Sequence, residues 1–149
     1  MNEVQFIRRR DVCGVILYSD DGRVLLQQRD DKPTIPYPGC WTFFGGALEA
    51  GETADEAIQR ELMEELTLEQ TLTFWYDYEC PVRTIPGEVV TRNFMYVGRL
   101  TRSLDSLVLL EGQAMKLFTA EESEEHELAY AQSPILRKFF ADKVMETLP

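Results

Sequence analysis

Glu61, Glu64 and Glu65 stand three and four residues apart within a run of good helix formers, residues 53–66. On a helix, side chains at i, i+3 and i+4 crowd one side of a single turn. Three carboxylates held so close repel one another, at roughly a few tenths of a kcal/mol per solvated pair and more when buried. A solvated acidic face is one explanation of such a cluster. The other is a hard divalent cation that removes the repulsion, since Mg²⁺ and Mn²⁺ take oxygen ligands and bind through a few carboxylates and phosphate oxygens. The residues upstream favour the cation. Gly45-Gly46 allows the backbone to approach a ligand closely. Gly51 permits a turn into Glu52. A glycine pair, a loop carrying Glu49 and Glu52, and then three glutamates on a helix form a module suited to holding metal beside an anion.

That helix has to be started and anchored. Thr53 with Glu56 three residues on is a capping box. Ile58, Leu62 and Leu66 recur every four residues and form the stripe expected to face a sheet. Ala54 and Ala57 continue the acidic stripe toward the N-terminus, where small side chains leave room above them. Val12–Leu17, the turn signal Asp20-Asp21-Gly22, and Arg23–Arg29 predict a β-hairpin. Residues 32–38 carry Pro33, Pro36 and Pro38 and predict a loop. Trp41–Phe44 predicts a short aromatic strand stopped by the glycine pair. Leu72–Arg83 and Val89–Leu100 read as strands around a turn at Pro86-Gly87, and Met115–Phe118 as a short strand. Ser133 before Pro134 predicts an N-cap and first helical position. The helix it opens is expected to bury Leu136, Phe139, Phe140 and Val144 and to run nearly to the end. With no repeat or linker, residues 1–149 read as a single α/β domain with a mixed sheet between helices.

Gly46, five residues, Glu52, seven residues, Arg60-Glu61-Leu62-Met63-Glu64-Glu65 and then Thr67-Leu68 resemble the Nudix box, with every charged position filled. Thr67 departs from the usual glycine and is expected to change the helix C-cap. Phe44 departs from a common proline and is expected to alter a strand end and one pocket wall. The resemblance covers about a sixth of the chain. It implies a Nudix-type α/β/α sandwich and metal-assisted hydrolysis of a pyrophosphate bond. By position, it makes Glu61 and Glu65 the principal metal ligands, with Glu64 a further ligand or the base that orients water. Arg60 would hold the carboxylates. Glu52 would support the cluster and is placed with the substrate groups alongside Gly46. The Gly45 carbonyl would supply a backbone metal ligand. Glu111, in Glu111-Gly112-Gln113, resembles an acidic ligand of MutT-like members, with Glu121 and Glu122 as weaker rivals. Arg29 resembles an arginine that touches a phosphate or ribose; Arg83 and Arg92 are lesser candidates. Mg²⁺, with Mn²⁺ possible, is the implied cofactor. A (d)NTP or related nucleotide is the implied small-molecule substrate, with an NDP-sugar hydrolase or a non-catalytic nucleotide sensor as the alternatives.

Composition bounds these expectations. The chain has 149 residues, 44% hydrophobic and 28% charged, with a net charge of −11. That charge repels nucleic-acid backbones and acidic membranes, and suits a small anionic substrate only if a cation intervenes. The one basic run, Arg8-Arg9-Arg10, reads as a solvated strand edge. No apolar run approaches membrane-spanning length and no signal peptide is evident, so a cytoplasmic monomer or homodimer is expected. Three cysteines without CxxC spacing predict reduced thiols, with Cys40 placed near the site entrance. His126, alone in an acidic stretch, is expected at the surface, and one histidine excludes a multi-histidine zinc site. Trp41, Phe43, Phe44, Tyr76, Tyr78, Phe94 and Tyr96 are expected in the core or a pocket wall.

Overall fold

The Val/Ile-rich run lies inside a long strand, β1 (Arg8–Tyr18), in the computed structural model, which describes residues 8–82 and 89–148. Strand β2 (Val24–Gln28) returns antiparallel, pairing Leu17 with Leu25, so the expected hairpin forms. Strands β3 (Trp41–Thr42) and β4 (Phe44–Ala47) follow. The glycine pair does not stop the aromatic strand. Instead β4 runs through it, pairing Gly45 with Gly14 and Gly46 with Cys13 of β1. Then come α1 (Ala54–Leu66), β5 (Thr73–Val82), β6 (Val89–Arg99) and β7 (Ala114–Phe118). Three helices close the described chain: α2 (Ala120–Ser123), α3 (Ser133–Ala141) and α4 (Val144–Thr147). The turn expected at Pro86-Gly87 lies outside the described residues, as does Arg83.

The sheet is mixed. Its order is β3-β2-β1-β6-β5, with β4 also on β1 and β7 on β2. β1 and β6 are parallel; the other ladders are antiparallel. Both faces are covered, which explains why β1 reads as an unbroken apolar run. Its alternate residues feed two cores. Val15 and Leu17 pack with Ile58, Leu62 and Leu66 of α1. Ile16 and Tyr18 pack with Leu136 and Phe139 of α3. The result is the expected sandwich. Ile58, Leu62 and Leu66 are fully buried, each contributing roughly 1.5–3 kcal/mol by leaving water.

Several local expectations need correction. Ala57 is fully buried in the α1 core, so it does not extend the acidic stripe. Ser133 does not cap α3. Its hydroxyl accepts the Leu128 N–H at 2.9 Å, although Pro134 does occupy the first turn. That helix ends at Ala141 because Lys143 takes a left-handed conformation (φ 50°) before α4. Thr67 keeps the glycine-type C-cap with φ 52°, its N–H bonding to Met63 O at 3.0 Å. A β-branched residue therefore bears the left-handed strain.

Candidate active site

The capping box forms as expected. Thr53 Oγ1 accepts the Glu56 N–H at 3.2 Å, and Glu56 Oε1 accepts the Thr53 N–H at 3.2 Å. This fixes the start of α1 beside β4. Contact between the two is intimate at Gly46, where an added Cβ would stand 2.5 Å from Glu61 Oε1. At Gly45 (φ 144°) an added Cβ would fall on the Cys13 carbonyl oxygen. Each glycine is therefore required by a close approach, one to the helix and one to β1.

Arg60 is the organiser. Its Nε and Nη2 clamp both Glu52 oxygens at 2.7 and 2.8 Å. Nη2 also donates to Ala47 O at 3.1 Å, while Nη1 donates to Glu61 at 3.0 Å and Glu64 at 3.2 Å. One planar guanidinium thus ties the loop after β4 to three glutamates, a task that needs its forked donors. Hydrogen bonds from Arg60 and then from the Glu49 N–H hold Glu52 down to about 2. Both Glu52 oxygens are engaged this way, so it faces Arg60 and does not line the cavity described below.

The three helix glutamates differ sharply in burial. Glu65 is 2% exposed and its Oε2 accepts the Gly45 N–H at 3.2 Å. The Glu61 side chain is 12% exposed, whereas that of Glu64 is 52% exposed at the rim. Burial pushes Glu65 up to about 9. Repulsion from Glu61 and Glu111 adds to this, and Glu111 also hydrogen-bonds to the neutral acid. Burial likewise raises Glu61, against the pull of Arg60. Glu111 is brought here by the backbone: the Leu110 N–H bonds to Glu65 O at 2.8 Å. Gln113 then ties the loop to β2 and Arg29 through Gln28 O and Arg29 O, both at 2.9 Å. Among the described residues, no three acidic, thiol or imidazole groups already stand at metal-ligating separations. The donor set converging here is nevertheless oxygen only, and its members raise one another's proton affinity. That chemistry fits a hard divalent cation.

Glu65, Glu111, Gly45 and Gly46 edge a cavity of about 560 Å³. Its floor is one face of β1 and β6, with Arg10, Val12 and Gly14 beside Thr91, Asn93 and Met95. Arg29 lines it with its Nε donating to Pro36 O at 2.8 Å and its guanidinium 5.3 Å from the Tyr130 ring centre. Tyr130 takes a left-handed conformation and packs on Tyr37. Phe44 is buried and forms one wall.

Several of the groups around the cavity are not marked out by their sequence context. Arg10 is exposed, as expected, but β1 is a central strand and not an edge, and Arg10 borders the cavity. Asn93, Thr91, Gln27 and Gln132 carried no signal beyond being polar residues in apolar surroundings. Gln132 Oε1 accepts Thr42 Oγ1 at 2.8 Å and the Phe43 N–H at 3.0 Å. The thiol beside the site is Cys13, which lines the cavity, donates to Gly46 O at 3.4 Å and is pushed up to about 11 by burial. Cys40 instead borders a separate recess with Tyr37 and Cys80. Arg92 is engaged with Asp77 at 2.9 Å and covers Phe94. Glu122 caps α2, and Glu121 is exposed outside the cavity. His126 is exposed, its ring near Trp41 and Phe118.

Residues 8–139 match the family model described as NUDIX domain. The CTP pyrophosphohydrolase of Escherichia coli K12 is 31% identical over 121 residues, covering 81% of this chain and 84% of that protein. The structure of the E. coli dihydroneopterin triphosphate pyrophosphohydrolase superposes with a TM-score of 0.73 at 24% identity, covering 92% of this chain and 99% of that one. A MutT protein from Methanosarcina mazei Go1 gives 0.72 at 17% identity, with 92% and 96% covered. These two structural likenesses are of fold.

Proposed function

The chain belongs to the NUDIX domain family and is a Nudix hydrolase, and from that premise we propose that it hydrolyses a nucleoside triphosphate to a monophosphate and pyrophosphate, with Mg²⁺ or Mn²⁺. The observation that carries this reading is the meeting of Glu65 and Glu111 at a nucleotide-sized cavity, with Glu61 close enough behind them to repel Glu65.

Glu61, Glu65, Glu111 and the Gly45 carbonyl are the groups that would hold the cation. A cation held there would supply Lewis-acid stabilisation of charge on the phosphate oxygens and the attacking water. Glu65, held protonated by burial, would have to be ionised to serve as a ligand, so affinity for a divalent cation should rise with pH. Glu64, half exposed and tethered to Arg60 by one oxygen, takes the proton of the attacking water with the other. The water oxygen bonds to phosphorus, one bridging P–O bond breaks, and the bridging oxygen leaves with its phosphate group. Arg60 positions Glu61 and Glu64 without touching substrate. Arg29 supplies positive charge along the cavity for the phosphates or the ribose.

The test is a panel of nucleoside triphosphates and nucleotide sugars with Mg²⁺ or Mn²⁺, following phosphate and pyrophosphate release. Glu65→Gln should lower turnover of the best triphosphate by at least about a hundredfold, the scale of disrupting a metal site. Equal turnover by the two proteins, or preferred cleavage of a nucleotide sugar, overturns the assignment.

A further inference from the structure

Asn93 is 7% exposed on β6, and its amide is locked in one orientation. Nδ2 donates to Thr91 Oγ1 at 3.0 Å and lies 3.3 and 3.4 Å from Thr91 O and Tyr78 O. The Thr91 hydroxyl spends its own proton on Cys80 O at 3.1 Å, so it can only accept from Asn93. Every neighbour on that side is an acceptor, and a flipped amide would set oxygen against oxygen. Oδ1 is therefore a fixed acceptor, and it has no partner among the described residues. The side chain borders the cavity. Oδ1 is not among the buried polar atoms without a partner in the described residues, so it opens onto the cavity, where its hydrogen bond comes from water or from whatever enters.

The sheet register says what part of a nucleotide can reach it. Asn93 lies opposite Val12 of β1, while Gly45 and Met95 both lie opposite Gly14. Two strands and two residues thus separate Asn93 from Gly45, about 12 Å at about 4.8 Å between strands and about 3.3 Å per residue. This exceeds the reach of a ribose hydroxyl from its own α-phosphate and matches the outer edge of a base. Val12 and Met95 flank Asn93 on the floor, apolar surface suited to a base ring and unsuited to phosphate.

The geometry points to Asn93 as a specificity-determining residue that reads the outermost ring substituent of the base. It accepts a hydrogen bond from the amine of cytosine or adenine and sets oxygen against oxygen for uracil or hypoxanthine. This assignment rests on the nucleotide reading above, but binding tests it apart from turnover. Non-hydrolysable α,β-methylene analogues of CTP, UTP, ATP and ITP, with 2′-deoxy counterparts of the first two, are titrated against the full-length protein with Mg²⁺. Each amino analogue should bind at least about tenfold tighter than its oxo partner, the scale of replacing one hydrogen bond in the complex by two opposed acceptors. Loss of the 2′-hydroxyl should shift both members of a pair alike. Asn93→Ala should bring the ratios to within about twofold. Thr91→Val, which removes the hydroxyl orienting the amide, should shrink them even where Asn93→Ala fails to fold. Equal binding by the wild type, a ratio untouched by both substitutions, or a preference that follows the 2′-hydroxyl overturns the assignment. A retained binding preference without hydrolysis of any triphosphate supports it and refutes the proposed reaction instead.

Discussion

Glu65→Gln should flatten the pH dependence of metal-free stability. In the folded protein Glu65 is held at about 9 against an ordinary value of 4.5, chiefly by burial. An acid whose folded value is raised is ionised in the unfolded chain while still protonated in the native one. Unfolding then releases a proton, so stability falls as pH rises from the unfolded value up to the folded one. The slope is about 1.4 kcal/mol per pH unit. Between pH 5.5 and 7.5 the wild type should therefore lose about 3 kcal/mol more than the variant, a large part of the roughly 5–15 kcal/mol of a small domain. Glutamine is the right comparison because it copies the neutral acid: it accepts from Gly45 N–H and donates toward Glu111. Glu61 has an uncharged neighbour in both proteins over this range, so its own titration largely cancels. The assay is urea denaturation in EDTA, followed by the fluorescence of Trp41 and Trp75. Adding Mg²⁺ should restore the wild type at pH 7.5 and leave the variant where it was. Parallel curves for the two proteins across the range would refute the claim that burial holds Glu65 protonated.

Gly46→Ala should separate site from fold. Its methyl would press on Glu61 Oε1 at 2.5 Å, a flexible carboxylate that can swing away, so activity should drop by about tenfold or more while melting moves only slightly. Thr67→Gly should relieve the left-handed strain at φ 52°; against glycine's greater unfolded entropy, a net gain of about 0.5 kcal/mol is expected as a small rise in Tm. Arg60→Lys should not rescue Arg60→Ala, because an ammonium cannot clamp both Glu52 oxygens and still reach Ala47, Glu61 and Glu64. Both variants should lose activity and cleave faster near Gly51 under limited proteolysis; full activity in the lysine variant would contradict the role given to the fork.

Local chemistry is legible in the chain because it depends on spacing. The Thr53–Glu56 box, the stripe of Ile58, Leu62 and Leu66, the hairpin and the aromatic strands all follow from neighbours within a few residues. So does the gathering of Glu61, Glu64 and Glu65 on one turn. What spacing cannot say is how that turn faces its surroundings. Adjacent residues on a helix differ by about 100°, and only the placement of β4 decides that Glu65 is buried against Gly45 while Glu64 stays at the rim. The same packing turns Ala57 into core.

The cavity lay further from reach still. Arg10, Asn93 and the Tyr130–Gln132 segment come from three distant stretches and meet only because β1 pairs in parallel with β6 and the chain before α3 folds back onto Thr42 and Phe43. Glu111 could be named from a resemblance, but its approach to Glu65 depends on one backbone hydrogen bond between the Leu110 N–H and the end of α1. Covalent order and helical period are enough to place the carboxylates, the helix that carries them and the glycines that admit a close neighbour. Tertiary structure decided which acid loses its water, which amide presents an acceptor, and what the cavity can hold, since burial and unsatisfied hydrogen bonds are created by residues remote in the chain.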